Sequence, residues 1–161
     1  MGVRYKNAEV ETREQFKEVS LHRELTQLAA KWLKRHTANV TVPNCPYIAS
    51  EVVTTTITGE TPDVIGWCYW TSVLIEVKVG RGDFLADAKK SFRKISKDGM
   101  GEFRYYCCPA GLIKETELPN KWGLLYLNEK NKIDIIKVAE RQEANLICER
   151  TILLSMLRRT M

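Results

Sequence analysis

The chain lacks any long apolar segment. Nowhere in its 161 residues do eighteen consecutive apolar side chains occur, whereas a membrane-spanning helix needs about 20. The opening Met1-Gly2-Val3-Arg4 stretch has no apolar run behind it, so it does not have the pattern of a signal peptide. We therefore expect a cytoplasmic protein with no membrane partner.

The chain also lacks the cysteine and histidine spacing of a zinc site. Its five cysteines are an odd number, and none forms a Cys-x-x-Cys pair. The two histidines, His22 and His36, have no carboxylate or serine partner in a recognisable motif, so we expect both on the surface. Cys107 and Cys108 are adjacent in an apolar segment and should act as small hydrophobic residues on opposite faces of a strand.

Positive charge, by contrast, is concentrated in one segment. Residues 78–97 hold seven basic and two acidic side chains, an excess that equals the net charge of +5 for the whole chain. This pattern favours a polyanionic partner, most commonly nucleic acid, whereas a solvated basic helix face is the alternative interpretation. The bases that we expect to contact DNA are Arg81, Lys89, Lys90, Arg93, Lys94 and Lys97.

The order of the predicted elements indicates one α/β domain over residues 1–161, with a central mixed β-sheet flanked by helices. A first helix is predicted from residue 12 to about residue 35, on an apolar stripe of Leu21, Leu25, Leu28 and Trp32. A basic helix is predicted over residues 83–97, with Asp83 as its cap and a buried stripe of Phe84, Ala88, Phe92 and Ile95. A final helix is predicted over residues 142–159, and the predicted strands are 47–58, 63–67, 73–79, 103–108, 123–127 and 132–138.

Two carboxylates and a lysine are expected to meet on one strand pair. Asp63 opens a strand and Glu76 lies in the next one, so a hairpin between them would bring both side chains to one face. Lys78 must share the face of Glu76, where its ammonium can position an attacking water, and the Val77 carbonyl is available as a further ligand. Because Mg²⁺ prefers hard oxygen ligands and keeps several waters, these groups are sufficient to hold it, and Mn²⁺ can substitute.

The arrangement Pro62-Asp63, twelve residues, Glu76-Val77-Lys78 resembles the signature of the PD-(D/E)XK nuclease superfamily. The resemblance implies a restriction-endonuclease-like fold in which Asp63 and Glu76 hold the metal and Lys78 is the catalytic lysine. The run from Ile75 to Asp87 is also similar to the MmcB-like branch, which is linked to DNA repair.

The same resemblance suggests two further acidic residues for the site. Members of the superfamily often carry an acidic residue on the first helix, as Glu24 would here, and another on a following strand, as Glu51 would. Each has a simpler alternative. Glu51 can face solvent among neighbouring threonines, and Glu24 can pair with Lys31 or Arg23 on the helix surface.

Three functions are consistent with these residues. The first is a Mg²⁺-dependent deoxyribonuclease acting in repair, restriction or mobile-element processing, with Asp63, Glu76 and Glu51 as metal ligands. The second is a catalytically silent DNA-binding module of a larger assembly. The third is compatible with both: the hydrophobic final helix packs against another copy of the chain to form a homodimer.

Overall fold

The computed structural model describes residues 3–35, 42–52 and 54–161, and the side chains of the first helix from residue 10 to residue 34. Six strands form one mixed sheet in the order β1-β2-β3-β4-β5-β6. The β3–β4 and β4–β5 pairs are parallel and the other neighbours are antiparallel. The strands are β1 (Tyr47–Ser50), β2 (Val64–Cys68), β3 (Thr71–Val77), β4 (Phe103–Pro109), β5 (Gly123–Leu127) and β6 (Ile133–Lys137).

Helices cover both faces of this sheet. Their bounds are Val3–Arg35 for α1, Arg81–Asp87 for α2, Ser91–Lys94 for α3 and Leu146–Thr160 for α4. The predicted α/β class, with a mixed sheet flanked by helices, is therefore confirmed. Within the described part of the chain, no helix combines the length and the apolarity that a membrane span requires.

The alternation of β3 separates two hydrophobic cores. Val73 and Ile75 pack on the side of α1, together with Leu25 and Leu33, while Leu74 packs on the side of α4. Adjacent strand residues point to opposite faces, and the same rule places Cys107 in one core and Cys108 in the other, as predicted. All five cysteines are free.

The first helix begins earlier than predicted. α1 starts at Val3, and its fully buried positions are Leu25, Ala29 and Leu33, which recur every fourth residue. The predicted stripe residues Leu21, Leu28 and Trp32 are only half-buried, because they lie on the flanks of the face that meets the sheet.

The predicted long strand over residues 47–58 is wrong beyond Ser50. Glu51 has a φ of +52°, a left-handed conformation that interrupts the extended ladder. Further along, the Gly59 amide donates to the Thr56 carbonyl at 3.1 Å, which closes a turn. β1 is therefore a short strand, and in the part of the chain that the structure describes it lies at the edge of the sheet, paired with β2.

The basic segment is two short α-helices followed by a 3₁₀ turn, Ser96–Asp98, instead of one helix. Gly80, not Asp83, stands at the N-cap of α2, and Lys90 is extended (φ −64°, ψ 139°), which separates α2 from α3. On a continuous helix, residues 87 and 93 would point about 120° apart at 100° per residue. The break lets both Asp87 and Arg93 reach the same cluster beside β3, and it leaves Ala88 and Ile95 exposed instead of buried.

Candidate active site

The β2–β3 hairpin brings Asp63 and Glu76 together. Val64 is paired with Ile75, so Asp63 and Glu76 continue the same register at the open end of the hairpin. One carboxylate oxygen of Asp63, Oδ2, accepts a hydrogen bond from the Val77 amide at 2.8 Å. The predicted pairing of the two strands is confirmed, and it anchors Asp63 next to the strand that carries Glu76.

Glu76 is a nearly fully buried carboxylate, with 3% of its surface exposed. Burial raises the pKa of Glu76 to about 8, because the charged form loses its hydration; Arg93 and Lys78 oppose this rise and Asp63 adds to it. The Oε1 atom accepts no hydrogen bond from the described residues, although Arg93 Nη2 lies 3.2 Å away. The surroundings of Glu76 thus compensate only part of the cost of ionising it.

Lys78 lies between three carboxylates at the end of β3. Its Nζ is 3.7 Å from Glu76 Oε2, 3.5 Å from Asp83 Oδ2 and 3.6 Å from Asp87 Oδ1. The side chain is buried, but that of Asp83 is 55% exposed. The ammonium therefore stands at the boundary between the buried cluster and solvent.

Arg93 is not a surface base, which corrects the prediction that it contacts phosphate. Its side chain is only 2% exposed, and it makes ion pairs with Glu60, with Asp87 at 2.9 Å and with Glu76 at 3.2 Å. The guanidinium also lies 5.0 Å from the centre of the Trp122 ring. These carboxylates raise the pKa of Arg93 even though its burial acts to lower it. Arg93 is therefore a buried cation that neutralises the carboxylates around it.

Two members of this cluster, Asp87 and Glu60, were not predicted as site residues from the sequence. Asp87 is fully buried, accepts a hydrogen bond from the Tyr106 hydroxyl at 2.6 Å and pairs with Lys90 at 2.8 Å. Charged neighbours hold the pKa of Asp87 well below its ordinary value, although burial alone would raise it. Glu60 accepts a hydrogen bond from the Met100 amide at 2.7 Å. In the sequence, Glu60 lies in a turn pattern and Asp87 on the polar face of a predicted helix, and neither pattern indicates a buried charge.

The other predicted DNA-contacting bases differ in their surroundings. Arg81 forms a bidentate ion pair with Glu117, with Nη2 2.6 Å from Oε1 and Nη1 2.8 Å from Oε2. Lys90 is held by Asp87, as described above. The remaining three are exposed: Lys89, Lys94 and Lys97.

His22 belongs to the site, contrary to the expectation of an isolated surface residue. Its Nε2 lies 3.4 Å from Asp63 Oδ1, and the hydrogen bond to Asp63 raises the pKa of His22. His22 and Asp83 line a groove of about 430 Å³ that also contains Glu18 and the loop 79–82. The other histidine, His36, lies outside the described residues.

The two additional acidic candidates lie away from this cluster. Glu51 is exposed, and its contribution to the site is its backbone amide, which donates to the Asp63 carbonyl at 3.2 Å. Glu24 is exposed on α1 and accepts a hydrogen bond from Ser20 Oγ at 3.3 Å. The solvent-facing alternative describes Glu51. Glu24 lies on the helix surface, but its partner among the described residues is Ser20 and not Lys31 or Arg23.

The residues of the site fit a weakly held divalent cation better than a fully protein-enclosed one. In the described ranges, no three His, Cys, Asp or Glu side chains are arranged to hold a metal ion. However, Mg²⁺ is commonly bound by one or two carboxylates and completes its shell with water and phosphate oxygens. If every carboxyl group is ionised, five carboxylates face three permanent cations, and a divalent ion would balance the excess negative charge. The groups are Glu60, Asp63, Glu76, Asp83 and Asp87 against Lys78, Lys90 and Arg93.

Comparisons with known proteins show the fold alone. No family model and no curated protein matches the sequence. The chain is similar in structure to SPO1766 from Silicibacter pomeroyi, described as a protein of unknown function, with a TM-score of 0.58 and 20% sequence identity. The match covers 86% of this chain and 88% of that chain. A second protein thus shares this fold over most of its length.

Proposed function

We propose that this chain is a metal-dependent deoxyribonuclease with a restriction-endonuclease-like site. The observation that supports this proposal is the meeting of Asp63, Glu76 and Lys78 at the open end of one hairpin, next to a groove that solvent can enter. Ionising the buried Glu76, one oxygen of which is unbonded, is costly unless a further cation balances the charge. A metal ion bound at this site would balance that charge.

Each residue has a distinct role in this proposal. Asp63 and Glu76 would hold Mg²⁺ or Mn²⁺, with the Val77 carbonyl as a further ligand, and His22 would orient the Asp63 carboxylate. When bound, such an ion neutralises charge on the phosphate and lowers the pKa of a coordinated water. Lys78, held at the edge of the cluster by Asp83, would orient the attacking water.

Binding of DNA would use the exposed bases of the segment that follows β3. Lys89, Lys94 and Lys97 are exposed and can contact phosphates without breaking a buried ion pair. Such contacts position the backbone without selecting a sequence. Broad sequence tolerance is therefore expected.

One observation favours the alternative of a catalytically silent DNA-binding module. The ammonium of Lys78 is already shared among three carboxylates, and Arg93 compensates part of the charge of Glu76. A site neutralised internally in this way would bind a metal ion weakly. The exposed lysines would then bind DNA for a partner that performs the cleavage.

An assay with purified protein separates these functions. Linear, nicked, branched and single-stranded DNA would be incubated with Mg²⁺ or Mn²⁺, with EDTA as the metal-free control. We expect cleavage that EDTA abolishes and that Lys78→Ala reduces by about a hundredfold or more, since acid-base and positioning roles contribute about 10²- to 10⁴-fold. Lys130→Ala, in the exposed β5–β6 turn, is the matched control and should cleave normally.

The outcomes are distinct. Equal cleavage in EDTA would contradict the metal mechanism. Binding of DNA without cleavage of any substrate would support the silent module. Normal cleavage by Lys78→Ala would place the active site elsewhere in the chain.

A further inference from the structure

α4 has two apolar faces, and only one of them packs against the sheet. Cys148 and Ile152 belong to the core on that side of the sheet. Five further large apolar side chains on the same helix are between 39% and 63% exposed: Leu146, Ile147, Leu153, Leu154 and Leu157. At 100° per residue these five fall within an arc of about 120°. They form an apolar stripe interrupted by the exposed Arg150, here called the outer face of α4.

The apolar area of the outer face is similar to the apolar area that one partner contributes to a standard protein interface. From their exposed fractions the five side chains present roughly 500 Å² of apolar surface, which is at the upper end for a monomeric protein. A standard interface covers about 800 Å² on each partner, of which somewhat more than half is apolar. The outer face therefore supplies the apolar part of an interface, and the polar residues around it would supply the rest.

The charges at the two ends of α4 select the orientation of a second copy. Exposed Glu143 precedes the helix, and exposed Arg158 lies near its end. In a parallel pair, Arg158 would meet its own counterpart. In an antiparallel pair, Arg158 of one copy lies opposite the first turn of α4 of the other, on the side of Glu143, and the helix dipoles also oppose each other favourably.

We propose that α4 is a self-association surface, through which two copies of the chain form an antiparallel, two-fold symmetric dimer. In this register Ile147 of one copy packs against Leu157 of the other. Arg150, inside the stripe, adds its aliphatic stem to the contact and carries its guanidinium toward water. A groove of about 280 Å³ beside Leu154, lined also by Thr54, Thr151, Ser155 and Arg158, can receive an apolar side chain of the second copy.

The first test measures the mass of the protein in solution across a concentration series. Sedimentation equilibrium from about 1 to about 100 μM should show a dimer of the wild-type chain. Leu154→Glu places a charge in the middle of the outer face and should give a monomer that keeps the helical circular dichroism of wild type. Ile95→Glu is the matched control, because Ile95 is 52% exposed but lies outside α4, and it should remain dimeric.

A charge exchange then tests the antiparallel arrangement. Glu143→Arg and Arg158→Glu should each raise the dissociation constant about three- to tenfold, because the symmetric dimer contains the pair twice. The double variant should restore an affinity close to that of wild type. Failure of the double variant to improve on both single variants would overturn the antiparallel arrangement.

Two results would overturn the surface itself. One is a wild-type chain that stays monomeric up to about 100 μM, well above the dissociation constant expected for a standard interface. The other is a Leu154→Glu variant that dimerises as well as wild type. Neither result depends on whether the chain cleaves DNA.

Discussion

Replacing Glu76 with Gln should make the metal-free protein more stable at alkaline pH. Burial raises the pKa of Glu76 to about 8 in the folded chain, from an ordinary value of 4.5 that applies after unfolding. Between these two values the unfolded chain has released a proton that the folded chain still holds. Raising the pH through this window therefore favours unfolding of wild type, whereas Gln at this position cannot ionise.

The magnitude follows from the shift. One pKa unit corresponds to 1.36 kcal/mol, so wild type should lose about 3 kcal/mol relative to Glu76→Gln between about pH 5 and about pH 8. For a chain of this size, 1 kcal/mol changes the melting temperature by about 2–4 °C, which predicts a difference that grows by about 6–12 °C. Near pH 5 the two proteins should melt at similar temperatures, since the amide resembles the protonated carboxyl.

Thermal melts in EDTA at several pH values would measure this difference. Adding Mn²⁺ near pH 8 should raise the melting temperature of wild type, because an ion that binds only the folded state stabilises it by mass action, and should do little for Glu76→Gln. Glu24→Gln is the matched control, since Glu24 is exposed and should show no pH-dependent difference. A difference in melting temperature between wild type and Glu76→Gln that stays constant from pH 5 to pH 8 would contradict a raised pKa of Glu76 in the folded chain.

Two further predictions concern the basic segment. Arg93→Ala should destabilise the fold by about 3–5 kcal/mol in urea denaturation, because it leaves three buried carboxylates without their shared cation, while Lys89→Ala should have little effect. A loss below about 1 kcal/mol for Arg93→Ala would contradict the buried-cluster interpretation. Replacing both Lys94 and Lys97 with Ala should flatten the slope of log K against log salt for duplex DNA by nearly two units, at about 0.9 per phosphate contact. An unchanged slope would show that these two lysines are only solvated.

Several features of this protein could be predicted from the sequence because they depend on local periodicity. The alternation along β3 placed Val73 and Val77 on one side and Glu76 on the other, and the structure confirms this separation. The hairpin between β2 and β3 was predicted from the position of the turn between two strand-like segments. Both features require only that side chains on a strand alternate and that a short turn returns the chain.

Other features could not be predicted, because they depend on which distant residues pack together. Arg93 and Glu60 are 33 positions apart, and in the sequence Arg93 is indistinguishable from the exposed lysines around it. The break between α2 and α3 turns Arg93 inward, and no proline or glycine in that segment marks it. His22 faces Asp63 only because α1 crosses the sheet at that point.

The α/β order of elements and the proximity of Asp63, Glu76 and Lys78 follow from the amino-acid sequence, since strand periodicity and hairpin pairing are local properties of the chain. The charges that surround that group depend instead on how distant segments pack. A carboxylate taken out of water must find a cation or a hydrogen-bond donor. The partners that Glu76 finds, Arg93 above all, come from an element whose orientation is set by packing.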